Sequence, residues 1–181
     1  MCLVNKLVTT PCLQNAPGVQ GIGYVAPAED FNAWPAYLGT TGAGDTVKLS
    51  GNFDFTGAGT GKGYWRQFPI LIEKGKYNAK VVGGIGSKSF EETFTFYIPG
   101  VDAAQLEWVK QMANVPAVWL CPDKNGIIHV IGTKSDPAYI QDADADSGAA
   151  ASDSRGISFV IRAISASPTV YTGTINTTPL P

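Results

Sequence analysis

Residues Ile157 to Ile164 alternate without a break. Ile157, Phe159, Ile161 and Ala163 share one parity, and Ser158, Val160, Arg162 and Ile164 share the other. A period of two marks a strand with one face on a core. The longest such run is Ser89 to Ile98, where Phe90, Phe94, Phe96 and Ile98 lie on one side and Thr93, Thr95 and Tyr97 on the other. Glu92 is the one polar residue at an apolar position of that run. Runs of this kind restrict the chain to a β-rich fold.

Shorter patterns fill in the rest. Thr46 to Ser50 alternates, and Phe53 and Phe55 continue its parity. Tyr64 to Ile72 is a strand candidate in which Pro69 argues for an edge or a bulge. Asn78 to Val82 and Val170 to Thr172 are short strands. Ala117 to Cys121 and Ile127 to Ile131 form a hairpin across an Asn125-Gly126 turn. One helix is expected at about 102–113, capped by Asp102 with Gln105 in capping-box position. Its apolar stripe is Leu106, Val109 and Ala113, joined by Met112, with Trp108 at the margin. Tyr139-Ile140-Gln141 starts a further strand, and 142–156 reads as an acidic loop of small residues. The sum is mainly β: a β-sandwich or partly closed β-barrel with one flanking helix and long loops.

At 181 residues the chain is one domain. Residues 1–45 are rich in Gly and Pro and read as an N-terminal arm or loop, and 173–181 as a C-terminal tail. The composition is 44% hydrophobic but only 15% charged, below the usual quarter. A surface so poor in charge suits one that partners partly cover. The net charge of −2, with no basic run, argues against binding to a phosphate backbone. A slightly acidic protein suits a channel through which DNA slides without sticking. Cys2, Cys12 and Cys121 are odd in number and lack a CxxC spacing, so reduced structural thiols are expected. No signal-peptide pattern and no apolar run of membrane-spanning length is present, which places the expected product in the cytoplasm.

Candidates for chemistry are few. The run Gly57 to Gly63 contains Gly61-Lys62 but has Thr56 and Gly63 where a Walker loop needs Gly and Ser or Thr. It reads as a hairpin tip. Asp142, Asp144 and Asp146 mimic the start of a calcium loop, but Gly148 falls one place late and Asp153 replaces the final Glu. A solvated acidic loop is the plainer reading. His129 is the only histidine, in a strand with no ligand at metal spacing. Glu91 and Glu92, being adjacent, point to opposite faces. Trp65, Trp108 and Trp119 belong to a core or an interface, or else to a sugar-binding face. No catalytic, cofactor-binding or metal-binding residue is assigned, and no enzymatic activity or cofactor is expected.

This organisation resembles the tail-tube family of tailed bacteriophages and related injection machines. An N-terminal arm, a β-sandwich with a long strand-loop-strand excursion, one helix beside it and a closing C-terminal strand pair carry the resemblance. The segment Ser152 to Val160 and on to Tyr171-Thr172-Gly173 is similar to the C-terminal part of tube-type virion proteins. The resemblance implies a virion tail subunit, present in the host cytoplasm before assembly. Such a subunit forms rings, commonly of six copies, whose inner strands join into one barrel around a DNA channel. Rings would stack on adjacent tail proteins through 1–45 and roughly 51–64. The Gly/Pro-rich arm departs from the pattern, and ring, connector or decoration roles remain open at this point. The alternatives are a sandwich module that binds carbohydrate or a host surface through its aromatics, and a hydrolase built on His129.

Overall fold

The computed structural model describes residues 16–56, 63–149 and 153–179. Thirteen strands, one α-helix and one short 3-10 helix (Ala28–Asp30) are found among them. They are β1 (Ile22–Pro27), β2 (Phe31–Ala33), β3 (Ala36–Tyr37), β4 (Lys48–Ser50), β5 (Asp54–Phe55), β6 (Arg66–Pro69), β7 (Lys76–Val82) and β8 (Ser89–Pro99). After α1 (Ala103–Met112) come β9 (Ala117–Pro122), β10 (Ile128–Ile131), β11 (Tyr139–Asp146), β12 (Gly156–Ser165) and β13 (Thr169–Tyr171).

The strands form a larger sheet in the order β3-β4-β13-β10-β9-β1-β6, a smaller one in the order β11-β12-β8-β7, and a β2-β5 ribbon. The expected sandwich is therefore present, and the partly closed barrel is not. The alternating runs decide how the sheets face each other. Phe94, Phe96 and Ile98 from β8 and Ile157, Phe159 and Ile161 from β12 turn inward onto Val25, Phe68, Trp119, Cys121 and Ile131 of the larger sheet. Phe96 stacks on Phe159 at 4.9 Å and lies 4.7 Å from Phe68. The other face of the larger sheet holds a second core of Leu49, Phe53, Phe55, Trp65, Val118, Leu120 and Tyr171. β9 is buried along its whole length because it serves both cores. Cys121 lies within it, as the apolar run implied, and burial pushes its thiol well up.

The helix forms where expected. The Asp102 carboxylate accepts from Gln105 N, and the Gln105 side chain accepts from Asp102 N at 2.8 Å. Its buried stripe is shifted from the expected one. Trp108, Val109 and Met112 face the sheets, whereas Leu106 is exposed. Trp108 meets Phe68, Trp119 and Phe159 edge-on or tilted and closes one end of the inter-sheet core.

Three expectations need correction. Residues 1–45 are not an arm throughout: β1 lies inside the larger sheet between β9 and β6, with Val25 opposite Trp119. Val25 and Ala26, on its opposite faces, are both buried, which an arm could not achieve alone. Residues 1–15 lie outside the described residues. The acidic loop does not begin at 142, since Asp142, Asp144 and Asp146 continue β11 paired to β12. The tail at 173–181 is docked through its first part. Trp65 N donates to Asn176 O, and Thr174 N donates to the Asn52 side chain.

Candidate functional site

Two features stand out: a polar cluster inside the sandwich and the free margins of the smaller sheet. The cluster begins with Glu92. Its parity on β8 drives the carboxylate into the apolar layer, where it is 1% exposed. Tyr77 Oη of β7 donates to Oε1 at 2.8 Å, and Ser165 Oγ of β12 donates to Oε2 at 2.9 Å. Burial nevertheless raises the Glu92 pKa, against the lowering effect of those two donors. The Tyr77 phenol is pushed far up, by burial first and then by the Glu92 charge.

The far side of the Tyr77 ring stacks on His129 at 4.1 Å. His129 comes from β10, so this stack links the two sheets. Its Nε2 lies 3.7 Å from Asp123 Oδ2. Burial lowers the imidazole pKa more than the Asp123 carboxylate raises it. The ring is therefore neutral near pH 7, and the contact is not an ion pair there. Asp123 itself is occupied by the hairpin turn, where Oδ1 accepts from Asn125 N and Ile127 N. A cleft of about 470 Å³ opens beside the cluster, lined by Gly18, Glu73, Lys76, Tyr77, Asn125 and His129 among others. Glu73 adopts φ 68° there. Glu92, Tyr77 and Ser165 already have their hydrogen-bond partners within the protein, and His129 is held by the ring stack, which is the chemistry of a clamp between sheets.

The free margins are β7 and β11. Among the described residues each has one strand neighbour, β8 and β12 respectively, and no strand pairs with its other side. On β7, Lys76, Asn78 and Lys80 share the outward face, opposite Thr95, Thr93 and Glu91. On β11, Asp142, Asp144 and Asp146 share that same outward face, opposite Val160, Ser158 and Gly156. A register shift at Gln141 turns the three acids to the outward face; without it they would continue the inward parity of Ile140. Between the margins, Arg162 Nε donates to Glu91 Oε1 at 2.6 Å.

The sequence candidates fall as follows. The calcium-like acids lie along an extended strand, about 7 Å apart at every second residue, so they cannot wrap one ion as a loop would. Among the described residues no group of three or more His, Cys, Asp or Glu side chains is placed to hold a metal. Gly57 to Lys62 lie outside the described residues. Glu91 points out and Glu92 in, as their adjacency required. Trp65 and Trp119 are each 1% exposed, so neither belongs to an aromatic sugar-binding surface. Sequence reasoning missed Tyr77, Asp123 and Ser165; the only signal was the inward parity of Glu92. Among the described residues no helix is long and apolar enough to cross a membrane. No family model matches this chain, and neither a curated protein nor a solved structure matches it.

Proposed function

We propose that this chain is a structural subunit of a bacteriophage virion, of the tail-tube or tail-ring type, which assembles with copies of itself around a channel. Its role is mechanical, and its partners are its own copies and adjacent tail proteins. The observation that supports this reading is the pair of free margins. β7 has seven residues and β11 has eight. Among the described residues each leaves a row of backbone N–H and C=O groups without a strand partner. Long open edges are a liability in a monomer, and closure of a ring removes them. Apolar side chains stand exposed at the same margins: Val81 on β7, Ile85 just beyond it and Tyr139 on β11.

The test is direct. Light scattering over a wide concentration range, with negative-stain microscopy of the same samples, should show closed rings or stacked rings. A protein that stays monomeric and ringless at the highest concentration overturns the reading.

A further inference from the structure

Resting on that reading, we infer that the two margins of the smaller sheet are built for each other: the β11 edge of one copy takes the β7 edge of the next, held in register by an aspartate row against a lysine row. The occupant of each edge is thus a second copy of this chain, joined head to tail.

Charge selects the pairing. Two β11 edges would set Asp142, Asp144 and Asp146 against their like, and two β7 edges would set Lys76 and Lys80 against theirs. Like charges directly opposite are destabilising, and unlike ones stabilising. Only β11 on β7 is complementary. Such a contact uses two different surfaces, so it repeats from copy to copy and either closes or runs on. The strand directions agree: β11 and β7 run oppositely within one sheet, because three antiparallel steps separate them. Their junction therefore continues the antiparallel pattern.

Register follows from spacing. With Asp142 opposite Lys80, Asp144 meets Asn78 and Asp146 meets Lys76. All six lie on the outward face of their strands. The inward positions then match Ala143 with Ala79 and Ala145 with Tyr77, so the second face is apolar. A slip of one residue would put aspartates over the core. Among the described residues the side chains of Lys76, Lys80, Asp142 and Asp144 have no hydrogen bond or ion pair within their own copy, while the Asp146 carboxylate accepts from Gly148 N.

The register also carries a stagger. Within one copy Asp142 is level with Thr95 through Val160, whereas Lys80 is level with Glu91. Each junction thus steps by four residues, about 13 Å, across four strands roughly 19 Å wide. That gives a strand tilt of about 35°, in the range of closed barrels. Gly100 N donates to Arg155 O, which sets the side on which β12 flanks β8. On that hand, the step matches the normal sheet twist when the Asp/Lys face turns toward the inside of the closed sheet.

The experiment uses charge reversal in the full chain. The double variants Lys76→Glu/Lys80→Glu and Asp142→Lys/Asp146→Lys should each fail to assemble alone while keeping the wild-type urea midpoint. Mixed one to one, they should assemble again, because each then offers the edge that the other needs. Retained assembly in either variant, or no rescue on mixing two folded variants, overturns this inference while wild-type rings leave the proposed function standing. A wild-type protein that never assembles overturns both. Should a variant not fold, salt supplies the second measurement. Assembly of the wild type should weaken at least about tenfold between low salt and roughly 0.5 M NaCl, and an unchanged midpoint of assembly overturns the inference.

Discussion

Tyr77 and Glu92 join the outermost strand of the smaller sheet to its centre. The phenol of β7 donates to the carboxylate of β8 at 2.8 Å, diagonally across the sheet and under the apolar layer. β7 is thus held by its ladder and by one buried side-chain bond, while the imidazole of His129 lies flat on the other side of the ring.

Removing the phenol oxygen should therefore loosen that edge. Tyr77→Phe keeps the ring stack but leaves a buried carboxylate oxygen without its donor. A loss of about 1–3 kcal/mol is expected, read from urea unfolding. Amide exchange should rise over 76–82 more than over 156–165. Equal protection of both segments would contradict the clamp.

The same cluster sets a dependence on pH with two opposed arms. The folded pKa of Glu92 is raised, so the folded state holds its proton longer than the unfolded chain does. Its contribution to stability is complete below the ordinary carboxylate pKa of about 4.3 and declines as pH rises through the folded value. The folded pKa of His129 is lowered. Its contribution is complete above about 6.5 and declines as pH falls through the folded value. Glu92→Gln should flatten the decline toward higher pH, and His129→Gln the decline on the acid side. Urea midpoints across that range check both signs.

Phe96 sits among Phe68, Phe94, Trp119 and Phe159. Phe96→Ala should cost about 3–5 kcal/mol. Leu106→Ala, on the exposed side of α1, should stay within about 0.5 kcal/mol of wild type. Similar losses from the two would mean that the helix phase described above is wrong.

Asp102→Ala removes the cap of a ten-residue helix. About 1 kcal/mol is expected, with a change in tryptophan emission as Trp108 loosens from Phe68 and Phe159. Gln105 also donates to Pro99 O at 3.0 Å, so Gln105→Ala should reproduce part of the effect. Unaltered emission in both variants would show that the cap does not seat the helix.

Much of this architecture was legible in the chain because period-two alternation is local. Phe94, Phe96, Phe159 and Ile161 declared their face from parity alone, Pro69 marked β6 as an edge, and Asn125-Gly126 marked the hairpin. What stayed hidden depends on distant partners. Nothing near Val25 signals that its strand neighbour is Trp119, so the Gly/Pro content of 1–45 suggested an arm. Asp142 to Asp146 looked like a loop because Ala143 and Ala145 are too small to register as an apolar face. The helix stripe was misphased because Trp108, which dominates the packing, was read as marginal beside Leu106. Of the buried cluster only Glu92 left a trace, since Tyr77, Ser165 and His129 sit on three other strands.

The place of β1 has a kinetic consequence. It comes early in the chain, yet its partner β9 follows about ninety residues later, so the middle of the larger sheet cannot form while the chain emerges in order. Pairings between such remote segments are slow to nucleate, and until they form they leave sticky strands uncovered. Val25 and Ala26 must wait for Trp119 and Val118. During that wait the nascent polypeptide is most exposed to aggregation, and a folding helper of the producing cell would matter most then.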